Sequence, residues 1–426
     1  MSSDQQAINE NRGAIPFSRR VERKMPLLLA IWLFLSVLGP HQELYKVFFH
    51  GVVIPAVLVL LFSRRLVSIR RDPLFWVSIA FFSYAAITTF IIGLGPINGH
   101  LRALRWAIEA SFCLLALWAW MPDVARRAYW WARYLLFITL AASVAAIIKF
   151  VIFENMQGRL SGLGGLHNPI HTGGVLLTYL AIGHFVLLRG EKALITERDR
   201  WLLLFATLGV GLAVLFSESR GPIGALLIYG LFIGCLQLVT RPSFKFVIWT
   251  LVGVAGVVGV VSGLHGADNY LGQLLDRGSS YRLEIWRGYI DYPPDSWWLG
   301  FGLGTEKWYV PAVEAYWKPN DVPVGHPHSV FIGTLVETGI IGSIFLSFMV
   351  GLLVLSIMVF AGTSLDKLRL FGILGLICIL SFTTGQGVIS SIKTFWLTLW
   401  FPVIFIWFWT RISDKKDDEL FGEKVG

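Results

Sequence analysis

The chain has 426 residues, a length that would mean two or three domains in a soluble protein. Its composition excludes that reading: 55% of the residues are hydrophobic and 15% charged, against about 45–50% and about 25% in ordinary globular proteins. A water-soluble enzyme and a disordered or fibrous chain are both ruled out. The apolar runs are unbroken where an outer-membrane barrel would alternate apolar with polar residues. The chain reads as an all-α polytopic membrane protein with a net charge of +9.

In chain order, the first 24 residues are polar and basic (Arg12, Arg19, Arg20, Arg23, Lys24), and an apolar run opens at Met25. Arg19-Arg20 matches a twin-arginine signal only superficially. No small-residue cleavage site follows, so the run is read as an uncleaved first helix. Apolar runs lie near 25–39, 44–62, 74–94, 102–121, 130–153, 171–188, 201–216, 221–239, 244–262, 335–360, 367–385 and 393–410, which makes twelve spans. An even number puts both termini on one side. Placing them inside leaves 24 of the 36 basic residues in inner segments and 12 outside, five of these in one long loop. By the positive-inside rule the termini are cytoplasmic. The organisation is then a nine-helix region (1–262), an outer loop domain (263–334), a three-helix region (335–410) and a cytoplasmic tail (411–426). Cys113, Cys235 and Cys378 each sit inside an apolar run and read as small core residues.

The 263–334 loop is rich in Trp, Tyr, Pro and Gly, a composition that favours the membrane interface, so this domain is expected to lie on the bilayer. Residues 280–290 can form a short helix with Arg282, Trp286 and Tyr289 on one face. Gly300-Phe301-Gly302-Leu303-Gly304 looks like a dinucleotide loop only by letter. It lacks the strand–turn–helix context and is read as a flexible turn.

Charges on the less basic side are the informative ones. Arg102, Arg105, Arg159, Arg220 and Lys393 all fall at or near outer ends of spans, where cations are disfavoured by topology. They either snorkel to lipid headgroups or hold an anionic ligand, and as a set they point to the ligand. Arg220 occupies a minimal turn, Ser217-Glu218-Ser219-Arg220-Gly221-Pro222, at the start of the next helix, where an anion would also meet the helix dipole. Glu218 is the alternative, structural partner. Among nine histidines, His41, His50, His100, His184 and His265 read as interface or satisfied residues. His167 and His171 have a helical metal-like spacing, but Pro169 lies between them and no Glu accompanies them. His326-Pro327-His328 closes the outer loop just before an apolar run, a place suited to a general base near neutral pH or to a structural cap.

Taken in order, Ser219-Arg220-Gly221, Arg282-x-x-x-Trp286, Pro293, the Gly300–Gly304 turn, His326-Pro327-His328-Ser329 and Glu337-Thr338-Gly339-Ile340-Ile341-Gly342 resemble the O-antigen ligase and polymerase superfamily of polytopic membrane glycosyltransferases. The motifs cover roughly 200–360. The resemblance implies a GT-C-like fold of about twelve spans in the bacterial inner membrane, with a periplasmic active site. It implies an undecaprenyl-diphosphate-linked polysaccharide as donor and lipid A-core as acceptor. By the same resemblance Arg220 and Arg282 correspond to the family's essential arginines, expected to bind the diphosphate, and His328 to its essential, catalytic histidine; Arg102, Arg105, Arg287, His326, Lys393 and Glu337 are accessory candidates from this sequence itself. Many relatives carry Asn where this chain has Ser329, so an amide contact is not implied there.

The chemistry agrees with the resemblance. A sugar bonded through C1 to a diphosphate already has a good leaving group. What it needs is cationic stabilisation of that group, for which the arginine fork suits better than lysine, and a base for the acceptor hydroxyl. The first outer loop offers only His41 and Glu43 where metal-dependent lipid-linked glycosyltransferases place acids. No metal, no cofactor and no nucleic-acid partner is expected. A polymerase joining repeat units on a lipid carrier, or a glycan-to-protein transferase, shares the same donor chemistry. An anionic-lipid transporter would share the arginines but should show polar or broken helices at mid-membrane.

Overall fold

The computed structural model describes residues 17–61, 69, 71–189, 195–240, 259, 281–323, 326–385 and 387–412. Its helices are α1 (Phe17–Leu38), α2 (Leu44–Leu60), α3 (Pro73–Ile92), α4 (Ile97–Arg126), α5 (Ala128–Phe153), α6 (Pro169–Arg189), α7 (Glu197–Phe216), α8 (Arg220–Thr240), α9 (Arg282–Asp291), α10 (Val330–Val359), α11 (Ser364–Thr383) and α12 (Phe395–Arg411). No strand occurs among the described residues, and the protein is an all-α polytopic membrane protein. Seven of these helices are long and apolar enough to cross a membrane. The predicted runs at the positions of α1, α2, α11 and α12 also fold as helices, shorter or more charged than those seven. The predicted span at 244–262, His265, most of the basic N-terminal stretch and the tail beyond Ile412 fall outside the described residues, apart from residue 259.

At one end of the bundle, local sequence explains how the helices start and how they are tied together. Asp72 caps α3 by accepting from the Phe75 amide at 3.0 Å, just before Pro73 at the first helical position. The same carboxylate accepts from Trp407 Nε1 (2.9 Å) and Arg411 (3.1 Å), which clamps α3 to the end of α12. Thr196 and Asp199 form a capping box on α7, and Arg133 of α5 grips Asp199 with two bonds of 2.7 and 2.9 Å. Thr363 caps α11, whose Asp366 pairs with Arg189 (3.3 Å) and Arg369 (3.4 Å). Arg133, Arg189, Arg369 and Arg411 at this end are therefore matched by carboxylates.

Between the ends, α5 packs on α6 and α7, α3 on α4 and α10, and α11 on α6, α8 and α10. Trp32, Trp120, Trp131, Trp396 and Trp407 are fully buried in the shared core. Cys113 lies in that core, but Cys235 is exposed on α8, so the expectation of three core cysteines holds for only part of the set. An apolar thiol costs little against lipid, and nothing in the helix period required it to face inwards.

The Gly300–Gly304 turn is not the flexible turn expected from its letters. Helix α10 is broken at Gly339 (φ 68°, ψ −168°), and the outer loop fills the break. In an unbroken helix the Ile340 and Ile341 amides would donate to Val336 and Glu337; here they donate to Trp297 (2.9 Å) and Trp298 (3.3 Å). The freed carbonyls of Val336 and Glu337 accept from Phe301 (2.8 Å) and Gly302 (3.0 Å), and that of Thr338 accepts from the Tyr84 hydroxyl (2.9 Å). Each backbone group released by the break thus finds a new partner, as burial demands. A second small core made of Ile285, Tyr289, Phe301, Val313, Trp317 and Val336 stacks the loop on this splice. The Gly339 conformation is essentially restricted to glycine, and a Cβ there would overlap the Trp298 carbonyl. Gly339→Ala is expected to cost about 2–3 kcal/mol. The loss should appear as a lower melting temperature in detergent and new protease cleavage within 297–302, with an unchanged melting curve as the contrary result.

Candidate functional site

At the opposite end of the bundle three helices begin at residues singled out from the sequence: α8 at Arg220, α9 at Arg282 and α10 just after His328. Each start is preceded by a non-glycine residue in the left-handed region, Glu218 (φ 47°), Tyr281 (φ 59°) and His328 (φ 51°). Such conformations cost about 1–3 kcal/mol each and persist only where the surroundings enforce them. The enforcing contacts are visible. Arg159 donates to the Ser217 carbonyl (2.9 Å) and Ser219 Oγ (2.5 Å), bracing the turn before α8. Gly221 lets that turn approach α11, since a Cβ there would overlap Thr383. Trp286, one turn along α9 from Arg282, donates to the Pro327 carbonyl at 2.6 Å and stacks edge-on against Phe382 of α11. That bond fixes the His326-Pro327-His328 segment beside Arg282. Ser329 then caps α10 through its side chain. Serine and asparagine are both strong N-caps, so Ser329 can do the local work of an asparagine without an amide.

The electrostatics of this end are one-sided. Arg282 is held below its ordinary pKa first by burial and then by repulsion from Arg220, which lies within electrostatic range. Neither makes an ion pair with a described carboxylate, Glu218 included, and one terminal nitrogen of Arg220 is buried without a hydrogen-bond partner. The pair offers cationic charge and an unsatisfied buried donor to an anion. His328 is lowered from the usual histidine range by burial, then by Arg282 and then by Lys307. His326 is pushed down to about 4 by burial, Lys307, His328 and Lys393. Both imidazoles are therefore neutral near pH 7 and able to accept a proton.

Lys393 joins the cluster from the segment before α12. It is lowered by burial and by Lys46, while Glu337 of α10 favours its charged form. Glu337 packs so closely on the 387 backbone that a Cβ on Gly387 would lie 2.6 Å from its Oε2. Arg220, Arg282, His326, His328, Glu337 and Lys393 are thus gathered at one end. The other accessory candidates lie elsewhere. Arg102 binds Glu306 (3.0 Å) and the Gly304 carbonyl (3.3 Å), tying α4 to the loop. Arg287 pairs with Asp291 (3.2 Å) on the exposed side of α9. Arg105 lies against Glu109 (3.5 Å), over a separate groove. Two members of the cluster carried no role in the sequence reading: Lys307, which acts on both histidines, and Trp286, which positions them. The only signal for Lys307 was its place among the twelve outer cations. Among the described residues no group of three or more His, Cys, Asp or Glu could hold a metal ion.

Residues 202–347, from the start of α7 to the middle of α10, match the sequence family described as O-Antigen ligase. The matched segment contains Arg220, Arg282, His326, His328 and Glu337, five of the six residues gathered at this end, and leaves out Lys393. The chain is also similar to a protein of Pseudomonas aeruginosa named O-antigen ligase, 23% identical over 308 residues that cover 71% of this chain and 70% of that protein. The apolar helices make it a multi-pass membrane protein.

Proposed function

We propose that the protein is a glycosyltransferase that transfers a polysaccharide from undecaprenyl diphosphate to a sugar hydroxyl of lipid A-core, on the periplasmic face of the bacterial inner membrane. The observation that carries this reading is the buried, unpartnered Arg220 nitrogen beside Arg282, with the neutral His328 next to that pair. The termini are cytoplasmic in this reading. The carboxylate-matched arginines of Asp72, Asp199 and Asp366 then face the cytoplasm, and the unmatched ones face the periplasm.

The reaction is a single displacement. His328 takes the proton from the acceptor hydroxyl as its oxygen attacks the anomeric carbon, and the bond from that carbon to the diphosphate breaks with its electron pair leaving on phosphate oxygen. Charge grows on the diphosphate in the transition state, and Arg220 and Arg282 stabilise it where it grows. The starts of α8 and α9 add backbone donors and dipole on the same side. Two guanidiniums supply the charge that a divalent cation would otherwise bring, so the reading requires no metal.

The test is reconstitution in proteoliposomes with a lipid-linked polysaccharide and lipid A-core. The expected result is a coupled product of higher mass, formed at nearly the same rate in excess EDTA. Extension of glycan on a second lipid carrier, with no coupling to lipid A-core, would make the protein a polymerase. A large loss in EDTA restored by one divalent metal would overturn the metal-free step.

A further inference from the structure

A second feature on the site side of the bundle is a groove of about 710 Å³ between α2 and α4. Its walls are apolar, with Leu101 and Ile108 about half exposed, and Lys46, His50, Arg105 and Glu109 line it as well. Arg105 and Asp123 stand 18 residues apart on α4, or about 27 Å at helical rise. That is close to the thickness of the bilayer hydrocarbon, about 30 Å. With Asp123 at one boundary, Arg105 is at headgroup level on the other and Glu109 lies one turn deeper.

The polar rim is built and not merely exposed. Buried Glu109 accepts from the Ile392 amide (3.3 Å) and contacts His50 Nε2 (3.1 Å), joining α2, α4 and the segment before α12. It also touches Arg105 through Nε at 3.5 Å, which orients the guanidinium while its two terminal nitrogens make no hydrogen bond among the described residues. Arg105 is 63% exposed into the groove. Lys46, held by Glu43 at 2.7 Å, stands near enough to Lys393 to repel it. Ser391 and Ile392 line the groove, so it adjoins the catalytic cluster through Lys393, the next residue in the chain, while neither Arg220 nor Arg282 lines it.

We propose that this groove is the docking site of the second lipid substrate, a phosphate-bearing glycolipid acceptor. Its phosphate lies against Arg105 and Lys46, and its acyl chain runs along Leu104 and Ile108. This inference rests on the transfer reaction proposed above. In a single displacement the nucleophile approaches the anomeric carbon opposite the leaving group. Two lipid-anchored substrates therefore need separate lateral entries on either side of the base. The diphosphate end has its cations at Arg220 and Arg282, and the groove supplies the opposite entry with charge of the right sign and an apolar wall for the chain.

The experiment measures equilibrium binding to the full-length protein in nanodiscs of three fluorescent probes: lipid A-core with its phosphates, the same glycolipid dephosphorylated, and phosphatidylglycerol. Wild-type protein should bind the phosphorylated glycolipid about 10-fold more tightly than the dephosphorylated one, the size of one charge-assisted hydrogen bond. The Lys46→Gln, Arg105→Gln double variant should bind the two alike, with the acceptor KM raised about 10-fold and the donor KM unchanged. Leu104→Trp, which fills the groove and leaves the cations in place, should weaken both glycolipids. Equal binding of phosphatidylglycerol, or wild-type binding by the double variant, would overturn the proposal. Binding as expected without any transfer to lipid A-core would refute the proposed reaction and leave the docking site standing.

Discussion

Arg220→Ala and Arg282→Ala are each expected to lower the rate of transfer about 10²–10³-fold or more, the loss typical of removing one preorganised donor to a developing anion. Protein yield and melting temperature should stay close to wild type. Neither guanidinium holds a described carboxylate, so its removal breaks no ion pair among the described residues, and the loss of Arg220 also removes a buried unsatisfied donor. Substitution by lysine should restore only part of the activity, because the ammonium keeps the charge and loses the planar fork that holds two phosphate oxygens. The double alanine variant should fall little below the worse single one if both arginines act on the same diphosphate. The assay is initial-rate transfer in proteoliposomes. Wild-type rates in both single variants would mean that this end of the bundle does not bind the leaving group.

His328→Ala should lose about 10²–10⁴-fold in turnover, the usual contribution of a positioned base, while the lipid-linked donor still binds. His326→Ala should be milder, since His326 is the more deeply held of the two, lowered further by burial and by Lys307, His328 and Lys393. The pH profile adds a second readout. A base works only when unprotonated, so activity falls as pH drops through its pKa in the folded protein. Burial, Arg282 and Lys307 lower that value for His328, so the rate should be flat through neutrality and decline only in acid, below the ordinary histidine range of about 6.5. Lys307→Met removes one repulsive charge. It should move the acid limb to higher pH without abolishing activity, an effect that a purely structural histidine would not produce. A His328→Ala enzyme with normal turnover and weakened donor affinity would make His328 a binding residue.

The amino-acid sequence by itself determined the membrane class, the positions of eleven apolar helices among the described residues, and the helix at 282–291. These follow from unbroken apolar length and from local starts such as Asp72-Pro73 and Thr196-x-x-Asp199, which operate within a few residues. It also singled out Arg220 at a span end, where a cation contradicts the charge bias that orients the other loops, Arg282 on a short helix of the outer loop, and His328 where that loop closes. Only the tertiary structure decided which outer cations are free. Arg102 and Arg220 look alike as letters, yet Arg102 is matched by Glu306, about 200 residues away in the chain, and Arg220 has no described carboxylate. The Gly300–Gly304 turn was misread for the same reason: Gly300 packs against the broken helix at Gly339, and the segment around the turn completes that helix's free amides and carbonyls. Pairing of charges and completion of broken backbone bonds are contacts between distant segments. No local period or spacing encodes them, so they become visible only when the chain is folded.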